Sequence, residues 1–164
     1  MSAQIAIVMG SESDLPVMKD AGEALKKLGF EYEMSVLSAH RTPHEVASFS
    51  EGARAKGFRV IIAGAGGAAH LPGMVAAYTE LPVIGVPIPI GPLEGKDAFL
   101  SIVQMPRGVP VATVAIGNAW NAGVLAAQII ASGDQAAGAR IFDRLLDYKK
   151  EMRQQVLSKP LKKD

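Results

Sequence analysis

Ser38, His40 and Arg41 place a hydroxyl, an imidazole and a guanidinium immediately before a helix-start signature. Thr42 reads as its N-cap, Pro43 as its first residue and Glu45 as the reciprocal partner of a capping box. The start of a helix favours negative charge, so these side chains point to an anionic ligand. Arg41 beside Ser38 makes a charge-assisted fork suited to phosphate. An imidazole, with an ordinary pKa of about 6.5, gives and takes protons near neutrality, which makes His40 the candidate for proton transfer. His44, inside the first turn, reads as an exposed helix residue.

Two other loops carry matching chemistry. Gly10-Ser11-Glu12-Ser13-Asp14 offers backbone N–H groups, two hydroxyls and a carboxylate. Amides and hydroxyls suit a phosphate, and a carboxylate beside them suits ribose hydroxyls. Ser13 or Asp14 could equally cap the following helix, whereas Ser11 stands too early for that cap and points to a ligand. The run from Gly64 to Gly73 contains Gly66, where the backbone can approach a flat ligand closely, and His70, which either binds substrate or satisfies a helix end. Gly64-Ala65-Gly66-Gly67-Ala68-Ala69 matches a relaxed dinucleotide fingerprint, but it follows the third strand and no acid closes the next one. NAD is therefore rejected. Gly91 to Asp97 is one residue short of a phosphate-binding P-loop and lacks the Ser or Thr after Lys96, so it is rejected too. His40 precedes the helix that holds His44, which removes the argument for a metal pair.

The elements that position these loops follow from periodicity. Ile5–Met9 is a continuous apolar run, as a strand buried on both faces requires. Glu31–Val36 alternates, which marks a half-solvated edge strand. Further strands are expected at Val60–Ala63, Val83–Val86 and Val111–Ile116, with helical patterns between. A final helix over about 135–157 carries Ile141, Leu145, Tyr148, Met152 and Val156 along one stripe. Strands spaced by helices give an α/β fold with a parallel five-stranded sheet between two helical layers. An edge second strand implies the flavodoxin-like order 2-1-3-4-5. Its switch point lies between strands one and three, where the loops after strands one, two and three converge. Nothing divides the chain, so 1–164 reads as one domain.

Composition narrows the remaining classes. Hydrophobic residues make up 49% and charged ones 20% of the 164 positions, leaving little charge to cover a monomer's surface. Buried subunit contacts are expected. The net charge of +1 gives no reason to expect nucleic acid or an anionic membrane as partner. Zero cysteines exclude disulfides and thiolate catalysis. No apolar run approaches the length of a membrane span, and the N-terminus lacks a basic leader, so a soluble cytoplasmic protein is expected.

Gly10–Asp14, Ser38–Pro43, Ala63–Gly73 and Ser101-Ile102-Val103-Gln104-Met105-Pro106 together resemble the 5-(carboxyamino)imidazole ribonucleotide mutases of bacterial purine biosynthesis. The resemblance extends in order from Ile5 to about Ala131. It implies a flavodoxin-like subunit of a homo-octamer, no metal or organic cofactor, and a small nucleotide substrate. The reaction it implies moves a carboxylate from the exocyclic amine of the aminoimidazole to ring carbon 4 without ATP. On the same resemblance Ser11, Asp14 and Arg41 hold the ribose phosphate, with Ser13 in the same loop. His40 moves the proton, and Ser38, Gly66 and His70 line the base and carboxylate pocket. The stiff loop Met105–Pro110 is a candidate lid. Leu15 stands where such mutases often have Trp, and Gly117–Asn121 is shorter than their common form.

Three competing readings remain. A related carboxylase branch uses carbon dioxide directly; it usually carries Lys in place of Arg41 and lacks the Gly66–Pro72 run. A flavin-binding electron-transfer module would need more than one Trp, three Tyr and five Phe supply near the switch point. A silent oligomeric scaffold would have no use for His40 and Arg41 together.

Overall fold

In the computed structural model, which describes residues 3–133 and 135–159, five parallel strands form one sheet in the order β2-β1-β3-β4-β5. The strands are β1 (Ile5–Met9), β2 (Tyr32–Val36), β3 (Val60–Gly66), β4 (Val83–Ile88) and β5 (Ala112–Thr113). The helices are α1 (Leu15–Lys27), α2 (Pro43–Gly52), α3 (Leu71–Tyr78), α4 (Lys96–Val103), α5 (Ala119–Ser132) and α6 (Gln135–Leu157). This is the flavodoxin-like arrangement, with the expected strand order.

Alternation along the strands sends side chains to two separate cores. Ile5, Ile7 and Met9 join Met18, Leu25, Ala122, Ala126 and Ile130 beneath α1 and α5. Ala6 and Val8 join Val46, Leu71, Val75 and Ile102 beneath α2, α3 and α4. Every residue of β1 and β4 is buried, which explains their unbroken apolar runs. β2 alternates between half-buried and exposed over Tyr32, Glu33, Met34 and Ser35, as the sheet edge should, and ends on the exposed Val36. Small residues on α5 let α1 come close: a Cβ on Gly123 would lie 2.6 Å from the Ala21 carbonyl oxygen.

Several boundaries differ from the sequence expectation. β3 runs on through Gly66 because its pairing with β4 continues from Ile61–Val83 to Gly66–Ile88. β5 shrinks from an expected six residues to Ala112–Thr113, since it borders only β4, with Ile84 opposite Ala112 and Gly85 opposite Thr113. The apolar stripe of α6 divides in two. Ile141 and Leu145 are buried against the first core, whereas Met152 and Val156 are exposed. Arg144 anchors this helix by donating to the carbonyls of Leu28 (3.0 Å) and Gly29 (3.4 Å) at the end of α1. Trp120 Nε1 adds a bond to the Tyr148 hydroxyl at 2.8 Å.

Candidate functional site

The loops after β1, β2 and β3 meet at the switch point between β1 and β3, zippered by backbone bonds. Leu37 N–H donates to Met9 O at 2.8 Å, and Gly10 N–H to Gly64 O at 3.2 Å. Together they enclose a cleft of about 310 Å³. Its lining includes Ser11, Ser13, Asp14, Ser38, His40, Arg41, Gly66 and His70, which is every site residue expected from the sequence. Arg41, Ser11 and Ser38 also face a neighbouring cleft of about 400 Å³ that adds Glu12, Val36 and Thr42. Such volumes fall at the low end of the range for small-molecule sites.

The first loop folds around Asp14. A single 3₁₀ turn, Glu12–Asp14, precedes α1. Ser11 N–H donates to Asp14 Oδ2 at 3.1 Å, and Ser11 Oγ accepts from Ser13 N–H at 3.4 Å. Ser11 is therefore itself an N-cap, contrary to the expectation that it stands too early. The extra 3₁₀ turn moves the start of helical structure upstream of the periodic signal. Asp14 is only 3% exposed. Burial pushes its carboxyl above the ordinary carboxylate range, opposed by the N–H groups of Ser11 and Gly10, the Ser13 side chain and the Arg41 cation.

In the second loop, Thr42 is the N-cap residue and Pro43 the first helical one, as expected, but the capping box does not form. The Thr42 hydroxyl instead accepts from Ser38 N–H at 2.9 Å and donates to Ser38 O at 3.1 Å. That closes the loop on itself and leaves Glu45 exposed. Arg41 is held by three contacts. Its backbone N–H and its Nε both donate to Ser38 Oγ, at 3.3 and 3.2 Å, and a terminal nitrogen donates to Gly10 O at 2.9 Å. The guanidinium thus bridges the β2 and β1 loops in a fixed orientation. His44 is exposed on α2 and does not line the cleft.

His40 and His70 meet across the site. Their rings pack edge to face, with His40 Nε2 2.7 Å from His70 Nδ1. His70 sits at the N-cap of α3 without capping it, so of the two roles open to it the helix-end role is set aside. The pair can hold a proton between its inner nitrogens. It leaves His40 Nδ1 and His70 Nε2 without a protein partner among the described residues.

The glycines divide by role. Gly64 serves packing and not a ligand: a Cβ there would strike the Met18 sulfur, so the missing side chain seats α1 on β3. Gly66 does line the cleft. The wall residues Ala39, Ala65, Ala68, Leu71 and Ile90 were not singled out from sequence. Apolar residues carry no chemical signal, and only their place at the carboxyl ends of β2, β3 and β4 distinguishes them. The Met105–Pro110 loop does not border the cleft. Met105 lies against α3, its sulfur 3.1 Å from where a Gly73 Cβ would be. Asn118 caps α5 through its side-chain oxygen, which accepts from Asn121 N–H at 3.1 Å, and no residue of the shortened segment lines the cleft.

The family model described as AIR carboxylase matches residues 4–155, which takes in both histidines and all three loops. The chain belongs to the AIR carboxylase family. Among its relatives, the N5-carboxyaminoimidazole ribonucleotide mutase of Thermotoga maritima is 54% identical over 95% of this chain and 89% of its own. A Schizosaccharomyces pombe protein named phosphoribosylaminoimidazole carboxylase is 59% identical over 80% of this chain but only 24% of its own length. Among solved structures, a Treponema denticola PurE2 variant superposes with a TM-score of 0.84 at 29% identity, covering 96% of this chain and 95% of that one. No described helix of this family member is long and apolar enough to cross a membrane.

Proposed function

We propose that this chain is a 5-(carboxyamino)imidazole ribonucleotide mutase, an isomerase of purine biosynthesis that needs no ATP. The observation that carries the reading is the His40–His70 contact at 2.7 Å beside the cradle of Ser11, Asp14, Ser38 and Arg41, in a chain 54% identical to a named mutase.

In this reading Arg41 and Ser11 hold the phosphate, and Asp14, with Ser13 beside it, takes the ribose hydroxyls. Ser38, Gly66 and His70 face the base. Protonation of the exocyclic nitrogen by His40 releases carbon dioxide from that nitrogen. Ring carbon 4, electron-rich in the aminoimidazole, then attacks the carbon dioxide. His40 removes the carbon 4 proton and aromaticity returns. The proton given in the first half comes back in the second, so the pair ends as it began. His70 fixes the His40 ring and can share the proton while the intermediate waits.

The active particle is proposed to be a cytoplasmic homo-octamer in which the whole chain, 1–164, forms one catalytic unit and α6 lies at a subunit interface. The exposed Leu146, Val156 and Leu157 of that helix support this.

A second reading, direct carboxylation of aminoimidazole ribonucleotide by carbon dioxide, is favoured by the name of the fission-yeast relative. One experiment separates the two. The protein is incubated with 5-(carboxyamino)imidazole ribonucleotide, and separately with aminoimidazole ribonucleotide plus bicarbonate, without ATP in either case. Formation of the carbon 4 carboxylate is followed in each. The mutase reading expects efficient conversion of the first substrate, reduced on the order of 10²- to 10⁴-fold in His40→Asn. Turnover of the second mixture alone would establish the carboxylase instead.

A further inference from the structure

The walls of the cleft divide along the sheet. The β1 and β2 loops supply Ser11, Asp14, Ser38 and Arg41, whereas the ends of β3 and β4 supply Ala65, Gly66 and Ile90. Ile90 is the unusual member. It follows β4 in the run Pro87-Ile88-Pro89-Ile90-Gly91-Pro92, and its N–H donates back to Ile88 O at 3.0 Å. A proline on its amino side and another two residues on restrict the turn that presents it. Its side chain rests on Gly66, where a Cβ would strike the Ile90 Cδ1 atom. It nevertheless remains 43% exposed and belongs to neither core. Core packing does not account for a large aliphatic side chain held stiffly at the rim of a site whose other apolar walls are Ala39, Ala65, Ala68 and Leu71. Its cover over the neutral end of that site does.

We propose that Ile90 is a retention wall that determines the fate of the carbon dioxide released in the first half-reaction. The proposal rests on the mutase reading. In that half-reaction the bond between the exocyclic nitrogen and the carboxylate carbon breaks, and the electron pair stays on nitrogen, which receives a proton from His40. In the second half a bond forms from ring carbon 4 to the same carbon, and the carbon 4 proton returns to His40. Nothing is oxidised or reduced, so the outcome depends only on whether carbon dioxide stays until it is attacked. Carbon dioxide is neutral and donates no hydrogen bond, so an aliphatic wall costs it no lost partner. Water gains nothing against the side chains of Ile90 and Ala65, because a bound water needs two or more polar partners. Ile90 therefore favours the gas over the solvent that would replace it.

The test uses substrate labelled with ¹³C in its carboxylate, in buffer containing unlabelled bicarbonate and carbonic anhydrase, so that any escaped label is diluted. Mass spectrometry gives the label retained in the product. Free aminoimidazole ribonucleotide per product, corrected for enzyme-free decomposition, gives the partition ratio. Wild type should retain most of its label. Ile90→Ala should raise the partition ratio roughly tenfold or more, the range expected for missing carbons in an apolar pocket. Label retention should fall in step, and Ile90→Leu should restore both. If Ile90→Ala does not fold, Ile90→Thr, which keeps the branched shape with a polar atom, should move both quantities the same way. An unchanged ratio and retention in the folded variant, even with lowered kcat, would reduce Ile90 to a structural residue and overturn the proposal while leaving the mutase reading intact. Failure of the wild-type protein to convert the substrate at all would remove both.

Discussion

Asp14 and Arg41 both carry charge in the cleft, and their surroundings give opposite expectations on substitution. Asp14 is buried and its carboxyl is pushed upward, so the folded state binds a proton more tightly than the unfolded chain. Its ionisation therefore lowers stability as pH rises from the ordinary carboxylate range through the raised value. Asp14→Asn should melt at a higher temperature than wild type at pH 7, with the difference shrinking on acidification. It should also bind substrate more weakly. Differential scanning calorimetry across that pH range checks the first claim, and a melting curve unchanged or lowered at neutral pH would contradict it. Arg41 instead needs its fork, since it contacts Ser38 Oγ and Gly10 O at once. A lysine ammonium cannot span both and still face a phosphate, so Arg41→Lys should raise KM on the order of tenfold with a smaller change in kcat. Steady-state kinetics decide this, and an unaltered KM would place the phosphate elsewhere.

Helix packing sets how closely the loops converge. α1 begins at the Asp14 turn and lies against α5 through Gly123, whose missing Cβ leaves the Ala21 carbonyl room. Gly123→Ala must push the two backbones apart, because the obstacle is a carbonyl and not the tip of a side chain. A loss of about 1–3 kcal/mol is expected from such overpacking, measured by urea unfolding. Kinetic effects should follow, since a shifted α1 carries Ser11 and Asp14 with it. The second loop depends less on its helix. Thr42 ties it shut through both backbone groups of Ser38, which holds His40 and Arg41 in place even where the capping box is missing.

At the scale of the molecule, the largest unexplained feature is apolar surface. Leu100 and Val103 on α4 are 56% and 42% exposed, and Leu93 in the loop before that helix is 54% exposed. Residues of this kind in one region are expected to be covered by further copies of the chain. Replacing Leu100 and Val103 together by Glu should therefore convert the proposed assembly to smaller species in sedimentation velocity. An unchanged sedimentation coefficient would place the interface on another face.

Fold class, strand order and the three site loops were legible in the sequence because they depend on local signals. Unbroken apolar runs mark buried parallel strands, alternation marks an edge, and polar residues between strand and helix mark the carboxyl ends of the strands. All eight anticipated site residues line one cleft for that reason. Contacts between segments distant in the chain were not legible. Sequence alone did not show that His40 meets His70 thirty positions on, or that Gly64 accommodates Met18 while Gly66 lies beneath Ile90. Nor did it show that the Thr42 hydroxyl turns to Ser38 instead of capping its helix. Each of these is a choice among several partners a side chain could satisfy, and only the packing of the sheet and its two helical layers decides which partner comes within reach.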